Sequence, residues 1–185
     1  MDKRNLYVYK KNSNYKEIIA FLKMYDKVIY QYERSQFLIV EVDISFSLSD
    51  LYELREFILE ELLIDFIGLY LPFNNSLTDS ELLSIAKVLN YGIYDISDLI
   101  IEICLSKYLD IQKKLKDYYY SLVGVENINT VIGFIENNFN ASLTAKRLYL
   151  HRNTLNYRIE NFIQKTEIDI KSFKKGLSIY LLFRR

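Results

Sequence analysis

The residues best suited to bind another molecule lie close together in the last third of the chain. Arg152 and Asn153 carry side chains that pair with the edges of guanine and adenine. Basic side chains nearby suit contacts to phosphates. The full candidate set is Ser142, Lys146, Arg147, His151, Arg152, Asn153, Thr154, Asn156, Tyr157 and Arg158. These residue types indicate binding to double-stranded DNA rather than catalysis.

Two short helices joined by a tight turn would carry these side chains. The spacing of apolar residues predicts a first helix of about two turns, with Ser142 as its N-cap. The small Ala145 in its middle would let a second helix approach closely. That second helix is predicted from about Arg152 to about Lys165, with one apolar stripe facing a core. The stripe consists of Leu155, Ile159, Phe162 and Ile163.

A pair of helices of this kind is typical of a helix-turn-helix, whose second helix enters the major groove of DNA. An ordinary helical hairpin with a polar outer face fits the same spacing. Short helical motifs have many false positives, so the spacing alone gives the two interpretations similar weight.

A longer string of residues favours the DNA-binding interpretation. The segment from Asn140 through His151-Arg-Asn-Thr-Leu155 to Tyr157-Arg158 resembles the C-terminal helix-turn-helix of the PucR/CdaR family of purine-catabolism and sugar-diacid regulators. The resemblance covers about residues 127–185. It implies a Fis-like all-α domain and sequence-specific regulation of transcription. A homodimer would suit a symmetric operator.

The first half of the chain alternates β-rich and helical patterns, which predicts an α+β fold with an antiparallel sheet and helices on one face. A hairpin is predicted from 27–32 and 37–43, with the connection Glu33-Arg-Ser-Gln36. Ser49 is predicted to cap a helix through Leu63, and Thr78 with Glu81 forms a capping-box pattern. This region also resembles, more loosely, the degenerate GGDEF-like domain of the same family.

The hairpin connection argues against an enzyme. A nucleotide cyclase needs a glycine-acid turn there, so that backbone can approach phosphates and carboxylates can hold Mg²⁺. The connection has no glycine, and the first glycine of the chain is Gly68. No cofactor is therefore expected, and no metal site, since His151 is the single histidine and Cys104 the single cysteine.

Charge is distributed unevenly along the chain. Residues 1–140 carry 14 Lys and Arg against 21 Asp and Glu, whereas residues 141–185 carry 10 against 3. Clustered positive charge beside a candidate recognition helix is the electrostatic signature of DNA binding. We predict three parts: an α+β domain over 1–96, a helical connector over 97–126 and a helix-turn-helix domain over 127–185.

The remaining expectations concern location and partners. No apolar run is long enough for a membrane span, and the first residues lack an apolar signal region, so a cytoplasmic protein is expected. The sequence does not indicate whether a small-molecule effector is sensed. The alternative function is a protein-interaction module, in which the acidic first part binds a partner and the DNA-binding fold is accessory.

Overall fold

A computed structural model describes residues 3–11, 14–24, 27–73 and 75–184. The chain divides into two compact units, Met1–Leu99 and Ile100–Arg185. Each unit is described by itself below. The boundary between them falls inside one helix, α4, which spans Ile96–Leu105. The predicted three-part division stays a prediction.

The first unit is built on a five-stranded sheet in the order β2-β3-β1-β4-β5. Its elements before α4 are β1 Lys3–Tyr9, α1 Lys16–Leu22, β2 Val28–Arg34, β3 Phe37–Asp43, α2 Leu48–Leu62, β4 Ile67–Pro72, α3 Asp79–Ala86 and β5 Gly92–Asp95. The first six follow the βαββαβ order of a ferredoxin-like sheet. The α+β class is therefore confirmed. The β4–β5 pair is parallel, unlike the predicted sheet, because α3 carries the chain back to the starting edge.

One face of this sheet and two helices form a hydrophobic core. Alternate residues of β1 and β3, including Leu6, Val8 and Val40, point into it. Ile18 of α1 and Ile58 of α2 lie in the same core and are fully buried. Their burial contributes roughly 1.5–3 kcal/mol for each large side chain. The prediction that helices cover one face holds for α1 and α2.

The start of α2 differs from the prediction. Ser47, not Ser49, is the N-cap, and its side chain accepts a hydrogen bond from the backbone N–H of Asp50. The Asp50 carboxylate in return accepts from the Ser47 N–H at 2.7 Å. This reciprocal pair explains why the helix starts two residues earlier. The predicted capping box of Thr78 and Glu81 at α3 is confirmed.

The β2–β3 hairpin turns more tightly than predicted. β2 continues to Arg34, which pairs with Phe37, so the connection has two residues rather than four. Those two residues, Ser35 and Gln36, have φ values of 51° and 69°. Two consecutive positive φ angles are the geometry of a type I′ turn, whose twist matches that of the flanking strands.

The second unit is helical. After the end of α4 it contains α5 Leu109–Val123, α6 Val125–Glu136, α7 Ala141–Arg147, α8 Arg152–Thr166 and α9 Phe173–Phe183. Three helices of this unit, α5, α6 and α7, contact α8. Leu115 and Tyr119 of α5 are almost fully buried. The segment predicted as a connector thus supplies part of the core of this unit.

Some sites and segments are not found among the described residues. No helix there is long and apolar enough to cross a membrane. Nor does that part of the chain bring three or more His, Cys, Asp or Glu side chains together as a metal site. Cys104 is half-buried, and burial raises the pKa of its thiol, which lowers its reactivity as a nucleophile.

Candidate nucleic-acid interface

The first helix of the candidate site is α7, and its N-cap is Asn140. The Asn140 side chain accepts a hydrogen bond from the Leu143 N–H at 2.9 Å. The prediction that Ser142 caps this helix is wrong, because the helix begins at Ala141 and leaves Ser142 exposed within its first turn. Ala145 is buried, as its predicted place between the helices requires.

A short turn connects α7 to α8. Leu148 is the C-cap of α7. The Leu150 N–H donates a hydrogen bond to the Ala145 carbonyl at 2.9 Å. Tyr149 lies between them with a φ of 53°, in the left-handed region. Its side chain is 96% exposed. The predicted tight break is confirmed. The chain changes direction at Tyr149, a non-glycine residue in a backbone conformation that glycine adopts more easily.

The second helix of the site, α8, starts where the sequence predicts. His151 is its N-cap, and the Nδ1 atom accepts a hydrogen bond from the Asn153 N–H at 3.2 Å. Leu155, Ile159 and Phe162 are at most 2% exposed. The fourth residue of the predicted apolar stripe, Ile163, is partly buried, and the stripe as a whole determines which side of α8 faces outward.

Nine of the ten predicted contact residues are exposed on α7, α8 and the cap between them: Ser142, Lys146, Arg147, His151, Arg152, Asn153, Thr154, Asn156 and Tyr157. The sequence from Asn137 to Ile159 contains no Asp or Glu, although it contains four Lys and Arg. Three of these four positive side chains, those of Lys146, Arg147 and Arg152, are exposed together with amides in a stretch that has no carboxylate of its own, and Glu160 is the first acidic residue after it. Such a surface attracts a polyanion.

The tenth residue, Arg158, is turned toward α6. Its guanidinium pairs with the Glu126 carboxylate and donates a hydrogen bond to the Thr130 hydroxyl at 3.3 Å. About a fifth of the side chain is exposed. The sequence predicts a phosphate contact for Arg158, whereas in this structure the side chain links α8 to α6, and the two roles predict different effects of its substitution on DNA binding.

Two residues that the sequence did not single out belong to the same surface. Tyr149 projects from the turn, and Leu143 on α7 is 39% exposed. Both are apolar enough to suggest core positions from spacing alone. A residue directly after the end of a short helix has no helical neighbours to bury it, which is the signal that could have identified Tyr149.

Comparison with known proteins supports the assignment of this unit. Residues 128–184 match the family model described as the PucR C-terminal helix-turn-helix domain. This segment belongs to that family. The PucR-type domain includes α7, the turn, α8 and α9, and thus the whole candidate surface.

Curated relatives are similar to parts of this chain. The chain is 57% identical over 53 residues to the uncharacterized protein YxkF of Bacillus subtilis, a match that covers 29% of this chain and 18% of YxkF. It is 31% identical over 153 residues to the DNA-binding transcriptional activator AdeR, covering 74% of this chain and 36% of AdeR. The proline-responsive transcriptional activator PutR is 36% identical over 56 residues, which are 30% of this chain and 14% of PutR. Both activators are from Bacillus subtilis, and each match spans well under half of the relative.

One solved structure is similar across both units. It is the regulator of polyketide synthase expression from Bifidobacterium adolescentis. The match covers 98% of this chain and 78% of the regulator's chain. The sequence identity is 13% and the TM-score is 0.47.

Proposed function

We propose that this protein is a transcription regulator that binds specific sites in double-stranded DNA through α7 and α8. The observation that carries the proposal is the surface at the start of α8. Arg152, Asn153 and Asn156 are exposed there, directly after the His151 cap, in a stretch without carboxylates. The N-terminal residues of a recognition helix are those that reach base edges.

The base-reading role is assigned to the exposed side of α8. Arg152 can donate two hydrogen bonds to guanine O6 and N7, and Asn153 or Asn156 can pair with adenine N6 and N7. Thr154 and Tyr157 complete this side of the helix and are also exposed. A good bidentate pair contributes roughly 1–3 kcal/mol of discrimination against the wrong base.

The positioning role is assigned to α7. Lys146 and Arg147 lie in its last turn and are exposed, while Ser142 is exposed in its first turn. Contacts from such side chains to phosphates fix the register of the protein on the duplex but carry little sequence information. His151 can contribute through its second ring nitrogen, since Nδ1 is occupied by the cap.

The relatives support this assignment at the level of the domain. AdeR is named a DNA-binding transcriptional activator, and its match extends over most of this chain. Because AdeR and PutR are named activators, we also propose that this protein activates transcription. A homodimeric state, a GGDEF-like origin of the first unit and a cytoplasmic location are further proposals.

The alternative is a protein-interaction module with an accessory DNA-binding fold. The excess of acidic residues in 1–140 is the observation that favours it. The salt dependence of binding distinguishes the two functions, because the affinity for DNA through several phosphates falls steeply as the salt concentration rises.

The test is selection of fragmented genomic DNA of the source by the purified chain. Arg152→Ala is compared with Lys113→Ala, which removes one exposed positive charge from α5 of the same unit. We expect wild type and Lys113→Ala to enrich one palindromic site, and Arg152→Ala to lose it. Retention without enrichment, or no retention, would favour the protein-interaction module.

A further inference from the structure

The strand β2 forms an edge of the sheet. It is the first strand in the sheet order and is hydrogen-bonded to β3 on one side, and its other side has no strand partner among the described residues. Tyr30 is 59% exposed, and Glu33 and Arg34 are exposed as well. Natural edge strands are protected by charged side chains, especially lysine, by proline or by β-bulges; β2 has a register shift between Val28 and Tyr30 and the charged pair Glu33 and Arg34 at its end. The sequence of β2, Val-Ile-Tyr-Gln-Tyr-Glu-Arg, contains no lysine or proline, and its two opposite charges can face complementary side chains of another strand.

The hairpin determines which backbone groups of β2 point outward. In a hairpin with a two-residue turn, the flanking residues Arg34 and Phe37 form a hydrogen-bonded pair. Along an antiparallel ladder, the backbone N–H and C=O groups of successive residues then point alternately toward β3 and away from it. The N–H and C=O groups of Gln31 and Glu33 therefore face away from β3. A register shift between Val28 and Tyr30 interrupts this pattern, so the regular edge is Tyr30–Arg34.

The side chains of this edge also divide into two sets. Tyr30, Tyr32 and Arg34 lie on one face, where the two tyrosine rings are 5.6 Å apart. The Arg34 guanidinium lies 5.8 Å from the Tyr32 ring centre and is held there by an ion pair with Asp79 at 2.7 Å. Gln31 lies on the other face and donates a hydrogen bond to α1.

We propose that β2 pairs antiparallel with β2 of a second copy of this chain, about a two-fold axis at Tyr32. This inference deepens the proposed function and rests on it, since a two-fold axis is what a palindromic site requires. In this register Tyr32 faces its own counterpart, Tyr30 faces Arg34, and Gln31 faces Glu33. Each polar or aromatic side chain thereby meets a complementary one.

The sequence of the edge is the argument for a second copy rather than a different partner. Reading Tyr30–Arg34 in the opposite direction places each amide opposite a carboxylate and each tyrosine opposite a tyrosine or an arginine. Gln31 and Glu33 of the two copies would exchange about four backbone hydrogen bonds. No residue of this edge would face a like charge.

The size of the contact indicates a weak dimer. Five residues of edge strand bury less than the roughly 1,000 Å² of a stable interface. Two half-sites on one duplex raise the effective concentration of the second copy, so a weak contact is sufficient. Self-association in the absence of DNA should then be detectable at high micromolar concentration.

Disulfide trapping tests the register. Tyr32→Cys, in a Cys104→Ser background, places two sulfurs opposite each other at a non-hydrogen-bonded position, where Cα atoms are about 4.5 Å apart. We expect a disulfide-linked dimer under mild oxidation. Glu33→Cys is the control, since its counterpart would lie beyond the ~7 Å that a disulfide can span. Equal cross-linking of both variants, or none of Tyr32→Cys, would overturn the proposal.

Analytical ultracentrifugation without DNA tests the backbone pairing. Glu33→Pro removes an outward N–H and leaves the β3 ladder intact, whereas Glu33→Thr keeps that N–H. We expect Glu33→Pro to raise the dissociation constant of the dimer at least about tenfold, with Glu33→Thr near wild type. Thermal unfolding of both variants checks that the fold persists. A wild-type protein that stays monomeric would overturn this inference, whereas loss of DNA selection alone would overturn only the proposed function.

Discussion

Arg158 on α8 and Glu126 on α6 form an ion pair that also includes the Thr130 hydroxyl. Two further polar contacts lie along the same helix. The Asn127 amide donates to the Asn161 side chain at 3.1 Å, and the Lys165 ammonium donates to the Leu122 carbonyl at 3.1 Å. The candidate recognition helix is thus tied at three points to α6 and to the end of α5. A helix fixed in this way presents its first turn in a constant orientation.

The Arg158–Glu126 pair should act on stability rather than on DNA binding. Because Glu126 is 78% exposed, a double-mutant cycle of Arg158→Met and Glu126→Gln should give a coupling of about 0.2–1 kcal/mol in urea unfolding. DNA affinity of Arg158→Met should stay within about twofold of wild type, as measured by fluorescence anisotropy. A uniform loss of affinity on all duplexes would instead show that Arg158 contacts a phosphate.

Arg152→Ala should reduce binding to the selected site by roughly 1–3 kcal/mol, because a bidentate contact to guanine is lost. Binding to a shuffled duplex should change much less. Anisotropy titrations on both duplexes give the two free energies, with Lys113→Ala as the charge-matched control. Equal losses of affinity on the two duplexes would indicate that Arg152 contacts the DNA backbone rather than a base.

Lys146→Ala should weaken binding to every sequence alike, because a phosphate contact carries no base information. The slope of log K against log salt should become less steep by about 0.9, the value for one lost phosphate contact. Titrations of the variant and wild type at several salt concentrations measure this slope. An unchanged slope would remove Lys146 from the interface.

His151→Ala should destabilise the helical unit by about 0.5–2 kcal/mol, since the Asn153 N–H loses its acceptor at the start of α8. His151→Asn should recover most of that free energy, because asparagine is a strong N-cap. Urea unfolding followed by circular dichroism measures both variants. If the two variants were equally destabilised, His151 would stabilise α8 through something other than its cap.

Tyr119 should make the helical unit sensitive to alkali. Burial raises the pKa of its phenol above the value near 10 of an exposed tyrosine. Above about pH 10 the unfolded chain loses this proton while the folded chain keeps it, so the free energy of unfolding falls by up to about 1.4 kcal/mol per pH unit. Tyr119→Phe should remove this part of the fall, measured by urea unfolding across that range. The exposed Tyr157, changed to phenylalanine, is the control, and the same pH dependence in both variants would contradict the account.

Local patterns predicted much of the helical unit. The apolar stripe of Leu155, Ile159 and Phe162 fixed the span of α8 and its buried side, because helical periodicity is a property of neighbouring residues. The capping atoms were harder to predict. Asn140 and Ser142, like Ser47 and Ser49, are favoured N-cap residues two positions apart, and the structure shows that the earlier one accepts the hydrogen bond from the first-turn amide in both helices.

Long-range relationships were not readable from the sequence. The parallel β4–β5 pair depends on the path of α3, and the contact of Arg158 with Glu126 joins residues 32 positions apart. The sequence therefore predicts Arg158 as a DNA contact but does not indicate its ion pair with Glu126, which lies on another helix.

The most direct test of the central claim is the affinity of the unaltered chain for its selected site and for a shuffled duplex of the same composition, at several salt concentrations. If α7 and α8 read DNA, the selected site should bind at least about 10³-fold more tightly, and both affinities should fall steeply with salt. Equal affinity for the two duplexes, or binding that is insensitive to salt, would contradict a sequence-specific regulator.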